Sequence, residues 1–217
     1  MSRRKTPSKN ETTHITVRCN NNDYLFHLDR TYSAFTSWIN SLPCLYDVKI
    51  HHALIMSNHI HLLATPAKNN LGKAMGYFLS NLSHYLNGIN NRKNHIFSER
   101  YGSSIITSSK YLINVIRYIY QNPVRAGIIK DPFWYPYSTL GFYTGQWNPG
   151  LIISPDEYSH ECFNLGLEGQ DQWKGLINNI IRTEDVQILR KSLHRSYFCY
   201  TKRQMLELEP NTTSLVI

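Results

Sequence analysis

The chain has 217 residues, a formal net charge of +8 and a pI of about 9.3. An aromatic content of 12%, with 15 tyrosines, argues against a disordered chain, and the length suits one elaborated domain or a domain with an appendage. Residues 1–150 carry 16 Lys and Arg against 6 Asp and Glu, whereas residues 151–217 carry 7 against 9. The basic first part favours a polyanionic partner such as nucleic acid.

Cysteine spacing and apolar runs exclude two further classes. None of the four cysteines forms a Cys-x-x-Cys pair, which argues against a structural zinc site, and their scatter is typical of a reducing cytoplasm. No apolar run approaches the roughly 20 residues of a membrane span, so we expect a cytoplasmic protein without membrane contact. Residues 1–13, with Arg3, Arg4 and Lys5, are expected to form a flexible basic arm.

The first elements alternate between strand and helix. Residues 14–19 and 24–28 are predicted as strands around an Asn-rich turn. A helix is predicted from Thr31 as N-cap to Leu42, with Pro43 breaking it. Strands over 46–55 and 59–65, a helix over 71–85 and further strand at 96–97 and 104–107 follow.

The second predicted hairpin strand carries His59-Ile60-His61. Because side chains alternate along a strand, His59 and His61 project together while Ile60 faces the core. Two neutral imidazoles side by side can hold one divalent metal. The alternative from spacing alone is a pair of histidines satisfied by water or backbone.

The next predicted helix runs over 110–121, starts at Ser108 or Ser109 and ends at Asn122-Pro123. Its apolar side has the helical spacing i, i+3, i+4, i+7. Tyr118 and Asn122 lie four residues apart on another side, so they stack one turn above the other.

The residue pattern of the C-terminal part differs from that of the first 150 residues and is typical of helices. Ser154-Pro155-Asp156-Glu157 is a capping box with Ser154 as N-cap. Helices are predicted over 172–181 and 183–194, with a linker at 166–169. We therefore expect a main domain over 14–150 and a helical C-terminal extension over 151–217.

The order of elements predicts an α+β fold. It indicates a split βαβ arrangement, in which an antiparallel sheet has helices on one face and leaves the other free for a ligand. An open face with Arg18 and Asn20 would suit single-stranded nucleic acid.

The residues resemble those of the single-tyrosine HUH transposases, especially the REP-associated tyrosine transposases. The resemblance is most specific in Asn122-Pro123-Val124-Arg125-Ala126-Gly127. The matching segments, in order, are 14–21, 56–63, 97–104, 117–127 and 135–139.

The resemblance implies metal-dependent cleavage and rejoining of single-stranded or hairpin DNA on a ferredoxin-like or RRM-like antiparallel sheet. It implies that His59 and His61 hold Mg²⁺ or Mn²⁺, that Asn122 is the third ligand and that Tyr118 is the nucleophile. A 5′-phosphotyrosine would link protein and DNA, in a monomer or a homodimer. The residues expected to contact DNA are Arg3, Arg4, Lys5, Arg18, Asn20, Arg100, Arg117 and Arg125.

Rival assignments stay open. Tyr111 and Tyr120 are alternative nucleophiles, although Tyr120 points about 160° away from Asn122 on a regular helix and Tyr111 lies about three turns away. The chain could also be a catalytically idle DNA- or RNA-binding module of the same fold, or a metal-bound structural domain. The presence of both histidines, Tyr118 and Asn122 favours the active enzyme.

Overall fold

A five-stranded sheet organises the chain. This computed structural model describes residues 7–97 and 100–198, apart from the side chain of Phe163. The strands are β1 (Thr13–Arg18), β2 (Val48–Ile55), β3 (His59–Pro66), β4 (Gly102–Ile106) and β5 (Tyr197–Phe198), in the order β2-β3-β1-β4-β5. All pairings are antiparallel except that of β4 with β5, so the sheet is mixed.

Two long helices cover the first face of the sheet. They are α1 (Leu28–Tyr46) and α2 (Leu71–Ile89), which pack on each other and on the apolar side chains of the central strands. Ile15, Val17, Ile60 and Leu62 are at most 2% exposed in this layer. The predicted inward orientation of Ile60 is confirmed, and it places His59 and His61 on the second face.

The second face carries helices as well. The remaining helices are α3 (Ser109–Tyr120), α4 (Asn122–Arg125), α5 (Leu140–Thr144), α6 (Glu157–Asn164), α7 (Leu167–Asn178) and α8 (Thr183–Leu193). A second core joins Leu54 and Leu63 of the sheet to α3, α7 and α8. The α+β class with a helical C-terminal part is confirmed. The expectation that one face stays free is wrong for the apolar half of this face, because α3 and the C-terminal helices need somewhere to bury their own apolar sides.

A β-bulge at His51 changes which residues of β2 face each side. Ile50 pairs with Ala64 and His52 with Leu63, so His51 is the extra residue. Ile50 faces the first core before the bulge, and Ala53 faces it after the bulge. The shift sends His52 toward the second face.

Several predicted elements near α1 differ from the structure. Residues 24–28 do not form a strand: 24–27 have no regular secondary structure, and α1 begins at Leu28 with His27 as N-cap rather than Thr31. Pro43 lies inside α1 and does not break it. Pro43 lacks a backbone N–H, so the helix loses a single hydrogen bond there. Only the last turn of the helix follows Pro43, and the C-cap Asp47 then adopts the left-handed conformation.

The C-terminal helix starts also differ from the predictions. The side chain of Asp156, not Ser154, accepts the backbone N–H of Ser159 at 3.1 Å at the start of α6. Residues 166–169 are not a linker, since α7 begins at Leu167 with Gly166 as N-cap. By contrast, α3 is confirmed with Ser108 as N-cap, whose hydroxyl accepts the N–H of Tyr111.

Candidate active site on the second face of the sheet

Strand register brings polar side chains of β1 and β3 together on the second face. Residues paired across antiparallel strands project to the same side of the sheet. Thr16 pairs with His61 and Arg18 with His59, while His14 lies two residues before Thr16 on the same face. The face therefore has an apolar half under α3 and a polar half formed by these five residues.

Three imidazoles are in contact within this polar half. The His14 Nε2 and His61 Nδ1 atoms are 3.1 Å apart, and the two rings stack with centroids 5.2 Å apart at 16°. The His59 ring lies edge-on to His61, with centroids 5.1 Å apart at 90°. His14 and His61 are 1% and 4% exposed, so β1, β3 and the surrounding chain hold this pair firmly.

Tyr118 is the phenol that α3 brings to these imidazoles. Its ring centroid lies 5.7 Å from that of His61 and 6.3 Å from that of His14, both nearly perpendicular. The Arg125 guanidinium lies over the Tyr118 ring, 5.1 Å from its centroid, and donates to the Tyr118 carbonyl at 2.6 Å. We call His14, His59, His61 and Tyr118 the cavity cluster.

Burial keeps the imidazoles of the cavity cluster neutral. It lowers the pKa of His14 to about 3. Burial, and then the charges of Arg18 and Arg190, lower the pKa of His59 to about 4. The pKa of His61 is also well below its usual value, mainly through burial. At neutral pH each ring therefore offers an unprotonated nitrogen.

Hydrogen bonds occupy the Nδ1 atoms of the two predicted ligands. The Asn58 side-chain oxygen lies 2.6 Å from His59 Nδ1, and the Asn58 amide nitrogen donates to the Asn22 carbonyl. An amide oxygen only accepts, so His59 Nδ1 carries the proton and Nε2 keeps its lone pair. When His61 Nδ1 carries a proton and donates it to His14 Nε2, His61 Nε2 also keeps its lone pair. Donation from the second ring nitrogen is typical of metal-binding histidines, so this pair fits a divalent cation.

Asn122, the third predicted ligand, is placed differently. Its side chain is 6% exposed and donates to the carbonyls of Tyr118 and Ile119, at 2.8 and 3.3 Å. Asn122 does not line the cavity beside the histidines. Within residues 7–97 and 100–198, no group of three His, Cys, Asp or Glu side chains is arranged to hold a metal. The donors that the structure brings together are the two imidazoles.

The rival tyrosines lie in other environments. The Tyr120 hydroxyl lies 2.7 Å from His52 Nδ1 and 2.8 Å from the Thr139 hydroxyl, and its side chain is 1% exposed. Tyr111 packs edge-on against Phe198, with ring centroids 5.3 Å apart. Of the three tyrosines of α3, only Tyr118 contacts the histidines of the cavity cluster.

A cavity of about 510 Å³ opens beside the cavity cluster. Its walls come from β1, β3, β4, α3 and α8, and the described residues that line it include three arginines and no Asp or Glu. The lining residues are His14, Thr16, Val17, Arg18, His59, His61, Arg100, Gly102, Tyr118, Arg190, Leu193 and His194. The cavity thus suits an anionic ligand.

The residues predicted to contact DNA divide into groups. Arg18 and Arg100 are exposed and line the cavity. Asn20 lines a separate cavity of about 520 Å³ at the end of α2, together with Lys93 and other polar residues. Both cavities lie at the surface, so DNA contact at these positions is sterically possible and stays a prediction.

The other predicted contacts are less accessible. Arg117 is 4% exposed and its guanidinium donates to the Asn179 carbonyl, so it does not face the surface. This burial corrects the expectation for Arg117, whose basic side chain holds the end of α7 instead. Arg125 is partly buried over Tyr118. Arg3, Arg4 and Lys5 lie outside the described residues.

Sequence reasoning missed His14 and the three cavity-lining residues of the C-terminal part. The alternation of Ile15 and Val17 already places His14 and Thr16 on one face, so a signal for His14 exists. No pattern in the sequence places Arg190 or His194 at this cavity, because their position depends on how α8 packs against α3.

A buried phenol, neutral imidazoles and an arginine-lined cavity have the chemistry of a site that acts on a phosphate. Comparisons with known proteins agree. The family described as transposase IS200-like matches residues 8–122. Because this match covers more than half of the chain, the protein belongs to the IS200-like transposase family, whose members are enzymes that act on DNA.

Two relatives give further detail. A REP-associated tyrosine transposase of Haemophilus influenzae is 29% identical over 154 residues, covering 59% of this chain and 88% of the relative. A solved structure of a REP-associated tyrosine transposase bound to a REP hairpin has a TM-score of 0.57 and 21% identity, covering 72% of this chain and 94% of that one. The second likeness shows the shared fold. No helix of the described residues has the length and apolarity to span a membrane.

Proposed function

We propose that this protein cleaves and rejoins single-stranded DNA with Tyr118 as nucleophile. The observation that carries the proposal is the contact of the Tyr118 ring with His61 and His14, inside an arginine-lined cavity. Membership of the IS200-like transposase family supports the same chemistry. The remaining tyrosines of α3 lack this setting.

The proposed step is a transesterification at phosphorus. The Tyr118 oxygen gives up its proton to water and bonds to the phosphorus, while the bond from phosphorus to the 3′ oxygen breaks. The 3′ oxygen gains a proton and leaves as a hydroxyl, and the 5′ phosphate stays on the tyrosine. Attack by a 3′-hydroxyl reverses the step and rejoins DNA without an external energy source, because the ester bond to tyrosine conserves the energy of the one it replaced.

His59 and His61 are proposed to hold Mg²⁺ or Mn²⁺ through their Nε2 atoms. Such a cation would neutralise charge on the phosphate during attack. Asn122 is the proposed third ligand, through its side-chain oxygen; in this structure its amide nitrogen donates to two carbonyls of α3, and the residue does not line the cavity. His14 and Asn58 orient the two imidazoles through their Nδ1 atoms.

Hairpin DNA is the proposed target. One relative is a REP-associated transposase, and the solved structure with the same fold was determined with a REP hairpin. Arg18 and Arg100 are proposed to bind phosphates of the single strand that enters the cavity. Tyr118 and the histidines of one chain already lie together, which supports cleavage by a single subunit.

The alternative is a catalytically idle binding module. An idle relative needs none of the reactive groups, whereas this chain keeps the phenol and both imidazoles in mutual contact. The complete cavity cluster favours the active enzyme.

The test is formation of a covalent adduct. Full-length protein is incubated with a labelled hairpin oligonucleotide with single-stranded flanks and Mn²⁺, and denaturation-resistant adduct is measured. Wild type and Tyr111→Phe should form adduct, while Tyr118→Phe should form none yet bind the hairpin within about twofold. Undiminished adduct in Tyr118→Phe would refute the nucleophile assignment.

A further inference from the structure

The C-terminal helix α8 is fixed against the catalytic half of the molecule. Its apolar residues Val186 and Leu189 are 4% and 2% exposed and belong to the same core as Val115 and Ile116 of α3. The helix lies outside residues 8–122, which match the transposase family. Whatever α8 adds to the site is therefore an addition to the family domain.

One side of the end of α8 faces the cavity cluster. Arg190, Leu193 and His194 stand at i, i+3 and i+4, so they share a side of the helix, and all three line the cavity with His59, His61 and Tyr118. Lys191 is equally basic and exposed, but it does not line the cavity. Arg190 and Lys191 thus carry the same charge, but Arg190 lines the cavity and Lys191 does not.

The charge of Arg190 affects one residue of the sheet and one residue next to Tyr118. Its proximity contributes to the lowered pKa of His59 on the sheet and of Arg125, which covers the Tyr118 ring. Among the described parts of the chain, no acidic side chain forms an ion pair with Arg190. An exposed guanidinium that lines a cavity with two other arginines and no described acid has the chemistry to bind an anion.

We propose that Arg190 binds the non-bridging oxygens of the DNA phosphate that Tyr118 attacks, so that the C-terminal extension completes the active site. This inference rests on the proposed function and names a residue of that site beyond the family domain. Arg190 would share the charge of the phosphate with Arg18 and Arg100, which line the same cavity. A planar guanidinium can bind two phosphate oxygens at once, which also fixes the strand relative to the phenol.

The test compares substitutions of Arg190 with a substitution of its neighbour Lys191, all in the full chain. Arg190→Gln should lower the rate of adduct formation at saturating hairpin DNA by at least about tenfold, because a donor to the developing charge is lost. Lys191→Gln, the matched control, should stay within about twofold of wild type. Arg190→Lys should restore part of the rate, since it keeps the charge but not the bidentate geometry.

Binding provides a second readout that does not require chemistry. With Tyr118→Phe as the background, Arg190→Gln should weaken binding of a hairpin with a single-stranded flank more than binding of the bare hairpin, and Lys191→Gln should not. Equal rates and equal affinities for Arg190→Gln and Lys191→Gln would overturn the inference. If wild type forms no adduct while the binding difference persists, the proposed chemistry fails and the anion site stands.

Discussion

Two histidine–tyrosine clusters lie on the same face of the sheet; one lines a cavity, and the other is buried. The cavity cluster places Tyr118 against His14 and His61 next to an arginine-lined space. Two residues further along α3, Tyr120 contacts His52 in a fully buried setting. The two clusters thus contain similar side chains, but one lies next to a cavity and the other is buried.

The second group, which we call the sealed cluster, has every polar partner in place. His52 lies between the Tyr120 hydroxyl at 2.7 Å and the Asp156 carboxylate at 2.6 Å. Ser159 also donates to Asp156, and Thr139 lies 2.8 Å from Tyr120. Burial acts to raise the pKa of Asp156. The hydrogen bond and charge of His52, together with the hydrogen bonds from Ser159, outweigh burial and hold that pKa below its usual value.

The difference shows what separates a reactive site from a structural one. In the sealed cluster each donor meets an acceptor, so no group is left to bind a ligand, and the network joins β2 to the start of α6. In the cavity cluster the Nδ1 atoms of His59 and His61 are engaged, and the Nε2 atoms of these two residues are left for a ligand. We therefore expect mutations in the cavity cluster to change activity and mutations in the sealed cluster to change stability.

Asp156→Ala should change the protein most, and the change is in stability. Removing the carboxylate leaves His52 and Ser159 without their buried acceptor, which should lower the free energy of unfolding by about 3 kcal/mol. Urea denaturation measures this change. Asp171→Ala, which breaks an exposed pair with Lys174, is the control and should cost less than about 0.5 kcal/mol.

The comparison also requires that folded Asp156→Ala protein keeps its activity. At a temperature where the variant is still folded, adduct formation should stay within about threefold of wild type. A loss of adduct without unfolding would show that the sealed cluster takes part in the chemistry.

A smaller effect is expected on metal affinity, from His14→Ala. This variant removes the partner of His61 Nδ1, and loss of such a partner weakens metal binding about 10–100-fold. Electron paramagnetic resonance of free Mn²⁺ in the absence of DNA measures the affinity. His14→Gln, whose amide oxygen can accept from His61, should recover part of the loss, and His84→Ala, at an exposed position, should change nothing. Unchanged Mn²⁺ affinity in His14→Ala would contradict the orienting role.

The smallest effect concerns pH. His14 has a pKa of about 3 in the folded protein against 6.5 in the unfolded chain, so between these values the unfolded chain binds more protons. The free energy of unfolding should therefore fall as pH falls below about 6.5, by at most about 1.4 kcal/mol per pH unit for this residue.

Urea denaturation between pH 7 and 5, above the range where most carboxylates titrate, measures that slope. His14→Gln should flatten it, and His84→Gln should leave it as in wild type. The same slope in both variants would show that His14 is not held neutral by burial.

Local patterns predicted the parts of the site that depend on one element. The alternation around Ile60 placed His59 and His61 on one face, and the Ser108 cap with the apolar stripe of α3 placed Tyr118. These features depend on period and capping alone. The α+β class followed from the order of such elements.

Features that depend on two elements could not be read in the same way. The bulge at His51 moves His52 to the second face, and an extra residue in a strand leaves no mark on the apolar pattern. The contact of His14 with His61 needed the register of β1 on β3. Arg190 reaches the cavity only because the apolar side of α8 packs with α3. Burial of Arg117 likewise depends on the end of α7.

We expect Tyr118 to become covalently linked to DNA, and peptide mapping of the adduct identifies the linked residue. Proteolysis after Arg117 and Arg125 releases a peptide with both Tyr118 and Tyr120, and fragmentation in the mass spectrometer separates the two positions. The nucleotide mass should be found on Tyr118. A nucleotide on Tyr120, on Tyr111 or on any residue outside the cavity cluster would contradict it.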